Sequence, residues 1–288
     1  MARSGRVAVV TDSTAYLPAE TVERQGIRVV PLQVTIGDHD GDENVEIGPD
    51  EVAAALTAHQ RVTTSRPAPE RFAAAYDAAL ANGASAIVTV TLSRTLSGTW
   101  ESAVLASNAL ALEARVVDSR STAMGLGFAV LAAAAVAAAG GSAAEVEEAA
   151  RARAAKTRTL FSVDTLEHLR RGGRVGAVRA LVSTALSVKP LLHVVDGEIV
   201  VADKVRTTSR ARARLVELGV ADVAGPVDVA VHHLAAPDQA AEIAAALRER
   251  LDDVRSLVTT ELGAVIGAHV GPGALGVVVA PALPIVSQ

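Results

Sequence analysis

Apolar runs and amphipathic stretches alternate along the first half of the chain. The apolar runs, which predict strands, cover residues 7–10, 27–34, 86–90 and 115–117. The stretches with helical spacing cover residues 18–25, 49–59, 69–81 and 98–111, and proline in the first turn suits several of them. This alternation predicts a mainly parallel sheet with helices on its faces. The polar, acidic stretch 37–48 predicts a surface loop or hairpin.

The pattern changes from about residue 157. Strand-like runs now cover residues 189–195, 198–204, 227–233, 255–260 and 276–281. Asp196-Gly197 lies between the first two runs and is a strong hairpin signal, so we expect antiparallel pairing with helices such as 237–251 on one face. The expected fold class is α/β: a mainly parallel α/β sandwich domain over residues 1–156, then an α+β domain with a largely antiparallel sheet over residues 157–288.

The composition narrows the class of protein. Half of the residues are hydrophobic but only 2% are aromatic, so Ala, Val and Leu fill the interior and nucleic-acid binding by base stacking is not expected. The absence of cysteine excludes disulfides and thiol catalysis. The uncharged stretch 124–141 is mostly Ala and Gly, which predicts a buried helix rather than a membrane span. With only four apolar residues before Thr11, no secretory signal is expected, and we predict a cytoplasmic protein without stable membrane insertion.

Charge is unevenly distributed along the chain. The net charge is −5, yet residues 151–214 hold 14 Lys and Arg against 5 Asp and Glu. This basic segment, residues 151–214, indicates a surface for an acidic partner or for phosphate. The equal alternative is that these charges only keep exposed helix faces solvated and bind no partner, above all Arg210, Arg212 and Arg214.

Signatures of catalysis are few. None of the seven histidines belongs to a helical His-Glu-x-x-His pair, and no P-loop or Gly-x-Ser-x-Gly elbow occurs. Gly271-Pro272-Gly273 precedes a strand rather than a helix, which argues against a dinucleotide loop. We therefore predict no metal and no cofactor.

Hydroxyl-rich segments accompany the strand-like runs of the first half. They are Thr11-Asp12-Ser13-Thr14, Thr63-Thr64-Ser65-Arg66, Leu96-Ser97-Gly98-Thr99 and Asp118-Ser119-Arg120-Ser121. Because the carboxyl ends of parallel strands meet at one edge of a sheet, we expect one shared site; four separate helix caps are the alternative. Hydroxyls and backbone N–H groups can hold a carboxylate by hydrogen bonds. Gaps in an apolar core can hold a hydrocarbon chain attached to that carboxylate. A core without such gaps would have the same composition.

Seven short motifs, in order along nearly the whole chain, resemble those of the DegV family of bacterial fatty-acid-binding proteins. They are Thr11-Asp12-Ser13-Thr14 with Leu17-Pro18, Thr64-Ser65-Arg66-Pro67, Leu96-Ser97-Gly98-Thr99, residues 166–175, Lys189-Pro190-Leu191-Leu192, Lys204-Val205-Arg206 and Gly271-Pro272-Gly273. Arg66 stands where the family has Gln, and Trp100 where Tyr is usual.

The resemblance implies a set of site residues. The hydroxyls of Thr64 and Ser97 would bind a fatty-acid carboxylate, helped by Ser65, by Gly98 and their N–H groups, and by His269 from the second domain. Ser13, Thr14 and Ser119 would lie in supporting loops. Arg66, Arg174 and Arg206 would lie at the mouth of the site or dock a partner; surface salt bridges are the alternative for Arg174 and Arg206, and loop capping for Arg66.

The resemblance also implies a function. The chain would bind a long-chain fatty acid in an apolar tunnel and present its carboxylate to a separate ATP-using fatty acid kinase subunit. The acyl phosphate formed there would enter phospholipid synthesis. The chain would thus be a lipid-binding subunit rather than an enzyme. The alternatives are a hydrolase or transferase that uses Ser97 and His269, and a lipid-responsive signalling module.

Overall fold

The computed structural model describes residues 5–174 and 188–283. Its strands are β1 (Arg6–Asp12), β2 (Arg28–Val30), β3 (Gln33–Ile36), β4 (His39–Asp42), β5 (Val62–Ser65), β6 (Ala84–Thr91), β7 (Glu113–Asp118), β8 (Arg158–Ser162), β9 (Lys189–Val195), β10 (Glu198–Val205), β11 (Val227–His233), β12 (Val254–Glu261) and β13 (Leu275–Pro281). Its α-helices are α1 (Ala19–Gln25), α2 (Pro49–Thr57), α3 (Pro69–Ala81), α4 (Thr99–Ser107), α5 (Met124–Ala138), α6 (Ala143–Lys156), α7 (Glu167–Arg171), α8 (Thr208–Val220), α9 (Pro237–Arg250) and α10 (Ala264–Val270).

The first half is built on a four-stranded parallel sheet in the order β2-β1-β6-β7. Successive side chains of β1 pack on opposite sides: Val9 joins the cluster formed with α5 and α6, and Val10 joins the cluster formed with α3 and α4. Both faces of the sheet are therefore covered, which explains why its central strands are continuous apolar runs. The predicted parallel α/β arrangement is confirmed.

The apolar run 27–34 is two strands rather than the single strand predicted. β2 pairs with β1 in the parallel sheet, whereas β3 pairs antiparallel with β4 and β5 in a separate three-stranded sheet. Pro31 lies between β2 and β3 and lacks a backbone N–H, so a continuous ladder would lose a hydrogen bond there. Thr63, Thr64 and Ser65 belong to β5, so they do not form a loop at the edge of the parallel sheet as predicted.

The second half is built on a six-stranded sheet in the order β10-β9-β8-β13-β11-β12. All of its pairings are antiparallel except that of β11 with β12. Asp196 and Gly197 have φ angles of 52° and 89°, which confirms the predicted hairpin turn. Helices α8 and α9 cover one face of this sheet, and the other face packs against α5 of the first half. The division at residue 156 falls between α6 and β8 and stays a prediction.

Helix α5 lies between the two large sheets. Leu126 and Val130 belong to the cluster of the parallel sheet, and Met124 and Phe128 pack against Val278 of the six-stranded sheet. A helix enclosed on all sides has no polar face, which accounts for the uncharged stretch in the sequence. The predicted buried helix is confirmed for residues 124–134, whereas its last turn is partly exposed and the helix ends at Ala138 rather than at residue 141. Among the described residues, none of the helices has the length and hydropathy of a membrane span.

Candidate functional site

A cavity of about 900 Å³, including its open mouth, lies between the first half and the inner face of the six-stranded sheet. Its walls are mainly aliphatic side chains from both halves: Leu32, Leu92, Leu96, Leu169, Val194, Ile199, Leu262, Val265, Ile266, Val270, Leu275 and Val278. Such a lining favours an apolar ligand.

One end of the cavity collects the hydroxyls that the sequence singled out. Thr64 Oγ1 lies 2.8 Å from His269 Nε2, and Ser97 Oγ lies 2.9 Å from Thr99 Oγ1. Each hydroxyl carries one hydrogen, so the Ser97–Thr99 pair uses one hydrogen internally and keeps one to donate. Thr64 keeps its hydrogen in the tautomer in which His269 Nε2–H donates to it. In that tautomer two O–H donors are available for the two oxygens of a carboxylate.

His269 is buried as a neutral imidazole. Burial, and then the positive charge of Arg174, lower its pKa to about 4. Its Nδ1 has no hydrogen-bond partner among the described residues, and Gly172 packs so closely that a Cβ there would lie 2.1 Å from Nδ1. The ring therefore fits only beside a glycine, and at neutral pH it orients Thr64 without adding charge.

The cationic groups at this end are Arg174 and Arg66, which both line the cavity. Arg174 Nε donates to the carbonyl of Leu96 at 3.0 Å, and its Nη1 donates to the carbonyl of Gly172 at 2.5 Å. Arg66 is exposed and donates from Nη1 to the carbonyl of Gly98 at 3.3 Å. Guanidinium groups stay charged in proteins, so the polar end is suited to an anion.

Arg206 is exposed, directly after the end of β10, and is not among the residues that line the cavity. Ile199, near the other end of the same strand, does line it. A role of Arg206 at the mouth of the site or in docking a partner stays a prediction.

The other two hydroxyl-rich segments do not line the polar end. The first of them forms hydrogen bonds with the backbone of residues that line the cavity. Ser13 Oγ accepts from the N–H of Leu32 at 3.0 Å, and the carboxylate of Asp12 accepts from the N–H of Leu92 at 2.7 Å. Thr14 Oγ1 donates to Asp12 at 2.6 Å. Ser119 is buried and donates to the carbonyl of Ser121 at 3.3 Å. Two of the four hydroxyl-rich segments therefore line the polar end, while the other two lie outside it.

Three further polar residues line the cavity and were not predicted from the sequence: Thr122, Thr159 and His232. His232 Nε2 accepts from the N–H of Met124 at 3.2 Å, and its Nδ1 lies 2.9 Å from Thr260 Oγ1, so the proton is on Nδ1. Burial lowers the pKa of His232 to about 4. The period of two along β11, which places residue 232 on the face of Ala230, is the signal that would have found it.

The stretch 37–48 is only partly the surface segment that its composition predicts. It contains the β3–β4 hairpin, but Glu43 is 1% exposed and its carboxylate lies against α10. Burial is the main cause that raises the pKa of Glu43 to about 7, and Ser13, Val265 and Tyr16 oppose it by hydrogen bonding. Nothing local in the sequence marks this glutamate, because its partners lie far away along the chain.

Parts of two predicted features lie outside the described residues. These are Val175, at the end of the 166–175 motif, and residues 175–187 of the basic segment. Within the described part of that segment, Arg170 and Arg171 pair with Glu167, and Arg214 pairs with Asp203 and Glu217. Arg210 also pairs with Glu217, and Arg212 with Glu242. Arg210, Arg212 and Arg214 thus take part in surface ion pairs, and the docking surface predicted for the basic segment stays a prediction.

The chain is similar to known proteins over almost its whole length. The model of a family described as "uncharacterised protein, DegV family" matches residues 6–282. A DegV domain-containing protein of Streptomyces coelicolor is 53% identical over 278 residues, which cover 96% of this chain and 99% of the relative.

Solved structures are similar as well. One is a DegV family protein from Thermus thermophilus, described for its fatty acid binding, with a TM-score of 0.89 and 33% identity. Another is DegV from Bacillus subtilis, described as a fatty acid binding protein, with a TM-score of 0.86 and 32% identity. Each covers 96% of this chain and 100% of its own. The fold, the order of the motifs and these similarities together show that the chain belongs to the DegV family.

Proposed function

We propose that this protein binds a long-chain fatty acid in the cavity, with the carboxylate at Thr64 and Ser97. The observation that carries the proposal is the combination of an aliphatic cavity with one polar end that offers two hydroxyl donors and two guanidinium groups. Fatty acid binding by the similar proteins from Thermus thermophilus and Bacillus subtilis supports it.

The hydrocarbon chain supplies most of the affinity in this proposal. Burial of one methylene contributes about 0.8 kcal/mol, so about fourteen contribute on the order of 11 kcal/mol before the costs of association. The hydroxyls contribute less but decide which end of the ligand faces the mouth. His269, neutral and bonded to Thr64, keeps that hydroxyl oriented, and Arg174 supplies a compensating charge.

We further propose that the bound carboxylate is presented to a separate ATP-using kinase subunit. A carboxylate oxygen attacks the γ-phosphorus of ATP held by that partner, the bond from phosphorus to the ADP oxygen breaks, and an acyl phosphate forms for phospholipid synthesis. Arg66 and Arg174, at the polar end of the cavity, are suited to a phosphate there. The chain then acts as a lipid-binding subunit and not as an enzyme on its own, and its cytoplasmic location stays a prediction.

Hydrolysis or transfer by Ser97 and His269 has little support from the geometry. His269 forms a hydrogen bond with Thr64, and Ser97 forms one with Thr99. Ser97 and His269 therefore do not form a nucleophile–base pair. A histidine with a pKa of about 4 is also a weak base at neutral pH. A lipid-responsive signalling role predicts lipid binding without acyl phosphate formation.

Binding and turnover distinguish these functions. Native mass spectrometry before and after organic extraction would detect a co-purified fatty acid, and titration of the extracted protein with oleate would give its Kd. Loss of one charge-assisted hydrogen bond in Ser97→Ala costs about 1.5–3 kcal/mol, which weakens binding roughly 10- to 150-fold.

Ser107→Ala is the matched control, because Ser107 is the last residue of α4, the helix that begins just after Ser97, and its hydroxyl donates to the carbonyl of Val104. We expect it to leave the Kd of oleate unchanged. Equal affinity of Ser97→Ala and wild-type protein would refute the site. Ester hydrolysis by the isolated chain would favour the enzyme, and oleate binding without acyl phosphate formation by an added kinase would favour the signalling module.

A further inference from the structure

Glu43 is a buried acid in a segment whose sequence looks like surface. It follows β4 in a tight turn, and its N–H donates to the carbonyl of Leu32 at 2.8 Å. The next residue, Asn44, has a φ of 58°, which turns the chain sharply after the glutamate. Burial of a carboxylate is costly unless hydrogen bonds compensate it, so the partners of Glu43 indicate what it does.

Those partners connect the first half of the chain to the start of α10. The carboxylate accepts from the N–H of Val265 at 2.7 Å, from the hydroxyl of Tyr16 at 2.9 Å, and from the hydroxyl of Ser13. The Tyr16 hydroxyl in turn accepts from the N–H of Ile266 at 3.2 Å. Two N–H groups in the first turn of α10, which have no partner within the helix, are thus satisfied by side chains more than 200 residues away.

Gly263, just before α10, leaves the space that this arrangement needs. A helix usually has a capping side chain at that position, but glycine has none. A Cβ on Gly263 would lie 2.5 Å from Tyr16 Cε1 and 2.6 Å from Glu43 Oε1. Glu43 therefore replaces the local cap from a distant part of the chain.

The other end of α10 carries the histidine of the polar end. His269 is four residues after Val265, one helical turn away, and Val265 and Ile266 themselves line the cavity. An isolated helix of seven residues is not stable, so tertiary contacts fix its position. Contacts that hold its first turn consequently hold His269 Nε2 at its 2.8 Å distance from Thr64.

We propose that Glu43 is a positioning residue for the carboxylate site: through the first turn of α10 it holds His269 against Thr64. The part of this inference that concerns lipid affinity rests on the proposed function, and the part that concerns His269 does not. Glu43 does not line the cavity, so it acts through α10 and not by touching the ligand.

The test compares Glu43→Ala and Glu43→Gln with a matched control. Glu43→Ala leaves three donors without an acceptor, whereas Glu43→Gln keeps the size and one acceptor oxygen. Glu145→Gln is the control, because Glu145 caps α6 by accepting from the N–H of Ser142, away from the cavity. The measurements are the Kd of oleate, the imidazole ¹⁵N NMR signals of His269 in the ligand-free protein, assigned with His269→Gln, and the melting temperature.

We expect Glu43→Ala to shift the His269 signals and to weaken oleate binding at least about tenfold. Glu43→Gln should fall between Glu43→Ala and wild type, which is rescue by the conservative variant. Glu145→Gln should change only the melting temperature. If Glu43→Ala does not fold, Glu43→Gln and Tyr16→Phe carry the test.

Unchanged His269 signals and an oleate Kd within twofold of wild type in the folded Glu43 variants would overturn the proposal. If wild-type protein binds no fatty acid, the proposed function fails, and the His269 signals still decide whether Glu43 positions the ring.

Discussion

Replacement of Glu43 by Gln should change how the stability of the protein depends on pH. Burial raises the pKa of Glu43 from its ordinary value of 4.5 to about 7. Between these pH values the folded protein binds a proton that the unfolded chain releases. The free energy of unfolding contributed by Glu43 therefore falls as pH rises from about 4.5 to about 7. Glutamine does not titrate, so Glu43→Gln lacks this loss.

The size of the effect follows from the change in pKa. At 1.36 kcal/mol per pH unit, a rise from 4.5 to about 7 corresponds to about 3 kcal/mol. Glu43→Gln should gain this amount relative to wild type between pH 4.5 and 7.5. His232 and His269, whose pKa values burial lowers to about 4, contribute in the opposite direction between pH 4 and 6.5. Burial also raises the pKa of Asp12, to about 6. All three groups are present in both proteins, so the difference between the two proteins reports mainly the titration of Glu43.

The assay is urea unfolding of both proteins at half-unit steps from pH 5 to pH 8, with ligand removed. The quantity of interest is the difference in free energy of unfolding between the two proteins at each pH. A difference that stays constant within about 0.5 kcal/mol over this range would refute the reasoning. It would show that Glu43 has the same pKa in the folded and in the unfolded protein. Glu145→Gln serves again as the control, because Glu145 is exposed and its pKa is lowered by hydrogen bonds from Ser142.

Three further predictions concern the site and its partner. Gly172→Ala should displace His269 and weaken oleate binding at least about tenfold, since its Cβ would lie 2.1 Å from Nδ1. Gly48→Ala should leave binding unchanged, since its Cβ would make only an ordinary contact of 3.9 Å with Glu51 Oε2, and equal Kd values of the two variants in calorimetry would contradict this. The isolated chain should neither bind ATP at micromolar concentration nor hydrolyse it, because its sequence has no phosphate loop; calorimetry and phosphate release check both. Arg206→Ala should lower phosphorylation of the bound fatty acid by an added kinase but leave oleate affinity unchanged, and added salt should slow that phosphorylation in the wild-type protein. Loss of oleate binding with phosphorylation intact would place Arg206 in the pocket instead.

A glutamate at position 43 exchanges some stability for the organisation of the site. An ionised carboxylate in the interior lowers stability near neutral pH, and an amide of the same size would avoid that loss. The carboxylate, however, accepts three hydrogen bonds at once and so fixes α10 more firmly than an amide can. Residues that cost stability while they organise a site are common in natural proteins.

The sequence by itself determined the elements whose signals are local. The alternation of apolar runs and helical stretches indicated the parallel sheet, Asp196-Gly197 indicated the hairpin, and the uncharged stretch 124–141 indicated a buried helix. These predictions succeeded because hydrophobic periodicity reports which faces are covered, and turn residues report backbone angles. The seven ordered motifs indicated the family and the candidate residues Thr64, Ser97 and His269.

Only the tertiary structure decided which distant residues meet. Thr64 and His269 are 205 positions apart, and Glu43 and Val265 are 222 positions apart, so no local pattern relates them. Periodicity shows that a residue lies on a covered face, and it does not show what covers that face. Packing of the two halves decides what covers the face, because that packing brings α10 of the second half against Glu43 of the first half.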